Sequence, residues 1–222
     1  MRIFLSSSMN KNRLAKFSRR LRASFLTLLA VVSVALTLAS CGSSRPIKYY
    51  QLSYPASPAG PPAPLNVSLL VRPFEASHLY QEERIVYSTS PNELGLYEEN
   101  RWVSPPVEML QDALVRGLRS AGHFRSVMIV RAEGGGDFAL AGHLYEFNEV
   151  DGAEIVARLK YTVRLRDRKT GMIVWTHTYA HDEPASAKTV PAVVAAMDKN
   201  VQRSVEEVQA GLDEYFRANQ PK

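Results

Sequence analysis

The sequence predicts one α/β domain, a mixed β-sheet packed by two main helices. Three observations carry this. Ile155 to Arg166 alternates apolar and polar residues with a period of two, the pattern of a half-buried strand. Two stretches, one from Ser104 to Gly122 and one from Val190 to Phe216, repeat apolar residues every three or four positions, as helices packed on a core do. Strand patterns precede each of them, and the order of strands, helix, strands, helix is that of an α/β or α+β domain.

In chain order, Tyr49, Tyr50, Leu52 and Tyr54 make a short aromatic-rich strand. Six residues between Pro55 and Pro64 are Pro or Gly, so that segment reads as a loop. Leu65 to Val71 is a continuous apolar run and reads as a buried strand, ended by Pro73. Arg84–Ser88 and Leu94–Glu99 form a hairpin around Ser90-Pro91-Asn92-Glu93. Ser104 is the expected N-cap of the first helix, with Pro105 and Pro106 in its opening positions. Val107, Leu110, Leu114 and Leu118 mark its buried face, and Gly122 its C-terminal cap.

Ser126–Val130 and Phe138–Val150 are the next strands, separated by a glycine turn. In the alternating strand Ile155, Ala157, Leu159, Tyr161, Val163 and Leu165 face the core. Asp167–Gly171 is a tight turn, and Met172–His181 returns with Ile173, Trp175, His177 and Tyr179 on one side. The last helix carries Val190, Val194, Met197, Val201, Val205, Val208, Leu212, Tyr215 and Phe216 as one stripe. A coiled coil fits this spacing, but a helix lying on the sheet explains it more simply.

The chain opens with an export signal. Seven basic and no acidic residues precede Cys41, Phe25–Leu38 is almost wholly apolar, and Leu38-Ala39-Ser40-Cys41 closes the run. The apolar stretch, about 14 residues, is short of the ~20 that span a bilayer, which speaks against an uncleaved anchor. Cys41 is the one cysteine of the chain and stands where a lipobox requires it. The expected processing is cleavage between Ser40 and Cys41, with a diacylglycerol and an N-acyl chain on Cys41. Met9 is an alternative start that keeps the signal complete. Residues 1–40 are then a signal peptide and residues 41–64 the lipidated N-terminus with the first strand and Pro-rich loop. Residues 65–218 are the folded domain, with a start as early as residue 48.

Processing inverts the charge. Of 27 basic residues seven are lost, leaving 20 against 22 acidic ones, so the net charge moves from +5 to −2. That removes the main support for nucleic-acid binding. With the thiol assigned to lipid, none remains for a disulfide, a metal or a nucleophile.

No catalytic or metal constellation is visible. The five histidines are scattered, and His177 and His181, four apart on a strand, stand roughly 13 Å from each other. His143 reads as a core or edge histidine. Gly134-Gly135-Gly136 precedes a strand rather than the helix a phosphate loop needs. No cofactor other than the lipid is expected. Two contact candidates remain. Arg158, Lys160, Arg164 and Arg166 share the outward face of one strand, suited to lipid phosphates or an acidic partner, or simply to solvent. Arg101-Trp102, just before the first helix, is either structural or a docking point.

The mature chain resembles the ABC-type transport auxiliary lipoproteins, the family that includes PqiC. The resemblance is carried, after the lipobox, by Lys48-Tyr49-Tyr50-Gln51-Leu52 and Leu69-Leu70-Val71-Arg72-Pro73. It continues through Tyr97-Glu98-Glu99-Asn100-Arg101-Trp102-Val103-Ser104-Pro105-Pro106, Phe138 to Phe147, and the terminal helix. It implies a non-catalytic component, working with an ABC permease, its ATPase and an MCE-domain protein in moving lipids or other hydrophobic molecules across the envelope. A homo-oligomer is compatible with it. Gly42, where Asp would mark inner-membrane retention, points to the outer membrane. Two other readings stand beside this one. One is an envelope lipoprotein that assists outer-membrane assembly or binds a ligand itself. The other is an exported hydrolase, for which the sequence displays no nucleophile and base.

Overall fold

A computed structural model describes residues 45–53, 65–129 and 135–219, all but Arg45 within a compact unit that begins at Pro46. It contains a nine-stranded mixed sheet and two α-helices among the described residues. The strands are β1 (Lys48–Tyr50), β2 (Leu65–Val71), β3 (Glu75–Ala76), β4 (Arg84–Ser90), β5 (Glu93–Trp102), β6 (Phe124–Ile129), β7 (Phe138–Asp151), β8 (Ile155–Asp167) and β9 (Ile173–Pro184). The helices are α1 (Pro106–Ala121) and α2 (Val190–Ala218).

The 14-residue strand β7 organises the sheet. One of its edges pairs along its length with β8, antiparallel, and β8 pairs with β9. Its other edge is shared end to end by β2, β3 and β4, all parallel to it. Outside β2 lies β6, and outside β4 lie β5 and then β1. Parallel neighbours require crossovers, and α1 lies in the connection between β2 and its parallel neighbour β6. The predicted class, a mixed sheet with two main helices, is the observed one.

Both helices cover one face. In α1, Val107, Leu110, Leu114 and Leu118 are buried as their spacing predicts. The helix starts later than expected: Pro105, not Ser104, holds the N-cap position, and no side chain caps it. A residue before proline is steered out of the α region, and both Ser104 and Pro105 precede one, so Pro106 is the first helical residue. Gly122 ends the helix at φ 68, a left-handed conformation that glycine adopts without penalty.

The last helix lies on β8 and β9 and against α1, rather than in a coiled coil. It is capped by Thr189, whose side chain accepts the Ala192 N–H at 3.4 Å. At the α1–α2 crossing a Cβ on Gly117 would stand 2.3 Å from Val205 Cγ1, so the close approach of the two helices needs a glycine. Phe216 closes the far end, edge-on to Phe124 at 5.7 Å and to Phe138 at 5.1 Å. Buried rings and aliphatics of this kind each contribute roughly 1.5–3 kcal/mol of transfer free energy, so the core can hold the fold without a disulfide.

Candidate functional site

The inward residues of β8 are buried as predicted, with Leu159, Tyr161, Val163 and Leu165 fully so. The other face of the strand is outward, and it carries Arg158, Lys160, Arg164 and Arg166. Pairing partners decide what each cation meets, because directly opposed residues on neighbouring strands share a face.

Arg158 opposes Asp182 of β9 and Asn148 of β7. Its Nε donates to Asp182 Oδ1 at 2.8 Å and its Nη2 to Oδ2 at 2.7 Å, a two-pronged ion pair. Glu146 stands 3.6 Å away on its other side and 3.8 Å from the Lys160 ammonium. The guanidinium hydrogen bonds hold the Asp182 carboxyl below the usual carboxylate range, and the same bonds raise Arg158 further. This end of the face is therefore neutralised.

The other end is not. Arg164 opposes Ala141 and Thr176, and Arg166 opposes Ala139 and Ile173. Arg166 donates to the Gly171 carbonyl at 2.5 Å, which closes the β8–β9 turn. Among the described residues neither arginine is in an ion pair. Asp167 accepts the Lys169 and Thr170 N–H groups at 2.7 and 3.2 Å, and Gly171 takes φ 75, so the predicted polar turn is built as expected.

One placement on β9 differs from the sequence reading. Trp175, His177 and Tyr179 face the helix, but Ile173 does not. A register slip between Leu165 and Arg166 sets Ile173 opposite Arg166, on the outward face, where it is 47% exposed. A shift of one residue reverses the face of a strand residue.

Trp102 is not a surface residue. It is 1% exposed and packs edge-on to Phe147 at 5.5 Å, so the ring belongs to the core and is closed to a partner. Arg101 is half-buried between Tyr49 of β1 and Arg84 of β4. Ser40 and Cys41 lie outside the described residues, as does Gly134; Gly135 and Gly136 lead into β7 and not into a helix.

The histidines stay apart. His78, His123, His143, His177 and His181 each stand nearest a different carboxylate, those of Glu82, Asp213, Glu75, Glu207 and Glu183. His143 is half-buried, its ring tilted against that of Tyr145 at 4.6 Å. Among the described residues no cluster of three metal-ligating side chains exists, and no helix is long and apolar enough to cross a membrane.

Sequence reasoning missed the polar node beneath this end of the sheet. Asn200 and Ser204 sit fully buried in the apolar stripe of α2. Asn200 donates to the Ala157 and His181 carbonyls at 2.8 and 2.9 Å and accepts the Tyr179 hydroxyl at 2.6 Å. Burial pushes the Tyr179 phenol up to about 12, which keeps it a donor. Next to it Arg203 bonds Glu183 at 2.9 Å and His181. The available signal was spacing: residues 197, 200, 204 and 208 continue a three-and-four repeat in which two members are polar.

No curated protein matches this chain. Among solved structures, a protein of the DUF330 family from Xanthomonas campestris is similar, at 23% identity over 78% of this chain and 98% of its own, with a TM-score of 0.66. A second, described only as an uncharacterized protein, shares 16% identity over 74% and 97%, with a TM-score of 0.59. At these identities the likeness is one of fold. The family model described as the ABC-type transport auxiliary lipoprotein component matches residues 50–209, from the end of β1 through most of α2, and the chain belongs to that family.

Proposed function

We propose that this protein is a non-catalytic, lipid-anchored component of an ABC transporter system that moves lipids or other hydrophobic molecules across the cell envelope. The observation that carries the reading is the family match over residues 50–209, beginning shortly after a lipobox cysteine. Diacylglycerol and an N-acyl chain on Cys41 hold the domain at a membrane, with Gly42 favouring the outer one. Several acyl chains anchor a protein firmly where one is marginal. Anchoring concentrates the domain near the permease, its ATPase and an MCE-domain protein, so weak contacts suffice. Of the four outward cations, Arg164 and Arg166 are the ones left for such contacts, since Arg158 and Lys160 already face carboxylates.

Two experiments test this. Cys41→Ala should abolish incorporation of a labelled fatty acid; retained labelling would remove the anchor. Crosslinking in intact envelopes, followed by purification of the full chain, should recover the permease, the ATPase or an MCE-domain protein. Recovery of outer-membrane assembly components instead would favour an assembly lipoprotein.

A further inference from the structure

Exposed apolar side chains and cations without acidic partners meet at the β8–β9 turn. Met172 is 64% exposed, the highest value among the large hydrophobics described, and Ile173 follows at 47%. The register slip turns Ile173 outward beside Arg166. Arg168 donates to the Gly136 carbonyl at 3.1 Å, and Lys169 lies exposed next to it. Among the described residues no ion pair involves Arg164, Arg166, Arg168 or Lys169. The one carboxylate of the turn, Asp167, is bonded to the turn's own backbone. The turn is thus a hydrogen-bonded tip at a corner of the sheet, with two large exposed apolar groups and four positive charges on it or beside it.

We infer that this tip is a second membrane contact, which rests on the reading of Cys41 as a lipid anchor. Met172 and Ile173 enter the headgroup–acyl boundary of an anionic bilayer, and Arg164, Arg166, Arg168 and Lys169 meet lipid phosphates. Cations ringing inserted apolar side chains are the combination that binds an anionic interface. An exposed hairpin turn of this kind fits a deformable lipid surface, whereas a rigid protein partner would need a matching cavity.

The strand directions give the contact a consequence. The tip stands at the N-terminal end of β7, where Asp167 pairs with Phe138. The anchored segment enters through β1, which is separated from β7 by β5 and β4 and reaches Lys48 opposite Asn100. Seven steps along the chain link Cys41 to Lys48, a leash of at most about 25 Å, while strand pairing sets Lys48 about level with Phe147, about nine residues and roughly 30 Å along β7 from Phe138. The entry strand β1 and the tip are therefore at separate corners of the sheet. One attachment leaves the domain free to swing; two lay the long axis of the sheet along the membrane.

The cysteine count provides the test. With Cys41 lipidated, Met172→Cys introduces one free thiol at an exposed position, for an environment-sensitive fluorophore. The lipidated full chain is reconstituted on phosphatidylcholine vesicles with or without phosphatidylglycerol. The probe at 172 should shift to the blue, and nitroxide-labelled lipids should quench it, only where phosphatidylglycerol is present. The same probe introduced by Asn92→Cys, at the β4–β5 turn, should stay in water. Arg168→Glu and Lys169→Glu should each weaken the insertion equilibrium by about five-fold or more. An unquenched probe at 172 on vesicles that carry the protein overturns the inference. Failure of the protein to float with any vesicle overturns the anchor reading, and this contact with it.

Discussion

At one end of the outward face of β8, Arg158 is clamped by Asp182 and flanked by Glu146; at the other, Arg164 and Arg166 oppose only Ala, Thr and Ile. The inner face differs in the same sense. Beneath Arg158, Asn200 ties α2 to β8 and β9 by hydrogen bonds. Beneath Arg164, contact is by packing: a Cβ on Gly211 would stand 2.9 Å from the Trp175 ring. The strand alternates identically throughout, so its own sequence does not separate the two ends. Neighbouring strands do, by deciding whether a cation is spent on stability or left available.

The largest expected effect is at the tied end. Asn200→Ala removes bonds to two carbonyls and leaves the Tyr179 hydroxyl only its 3.2 Å bond to the backbone carbonyl of residue 200, at a cost of about 2–3 kcal/mol. For a domain of this size that lowers Tm by roughly 4–12 °C, read by thermal unfolding. Thr176→Ala, at the other end, should leave Tm almost unchanged; equal effects would erase the distinction between the ends.

Charge reversal should separate the ends next. Arg158→Glu places a third carboxylate beside Asp182 and Glu146 and should cost about 0.5–1 kcal/mol in urea unfolding. Arg164→Glu should stay within about 0.5 kcal/mol yet reduce binding to phosphatidylglycerol vesicles. A stability loss from Arg164→Glu matching that of Arg158→Glu would show that Arg164 also has a structural partner.

Acid should loosen only the tied end. The Asp182 carboxyl is held below its ordinary value, so its contribution is full above the unfolded carboxylate range and fades as pH falls through the folded value. Carboxyl NMR should show Asp182 titrating below the usual carboxylate range, and Arg158→Ala should return it to the ordinary range. Unchanged titration in Arg158→Ala would assign the shift to another cause.

The smallest effect concerns Lys160. Its ammonium is 3.8 Å from Glu146 and 46% exposed. A double-mutant cycle with Glu146→Ala should give a coupling below about 0.5 kcal/mol. A coupling above 1 kcal/mol would mean that Glu146 belongs to Lys160 as much as to Arg158.

Much of the fold was legible because its signals are local. The alternation of 155–166, the α1 stripe, Gly122 and the Asp167–Gly171 turn each depend on residues a few positions apart, and each stands where its pattern put it. The site was less legible. Asp182 is 24 residues from Arg158, and nothing near either residue announces the pair. Ile173 followed the alternation until one register slip reversed it. Trp102 beside Arg101 read equally as core or surface, until Phe147, on another strand, came to pack against it.

By itself the sequence determined the period of each strand and helix, the turn between β8 and β9, and the one thiol at the lipobox, because each is written in adjacent residues. Only the tertiary structure decided which cations are neutralised, that Ile173 faces water, and that Asn200 is a buried node. Those depend on strand register and on a β7 edge shared by three segments, contacts that join residues far apart in the chain.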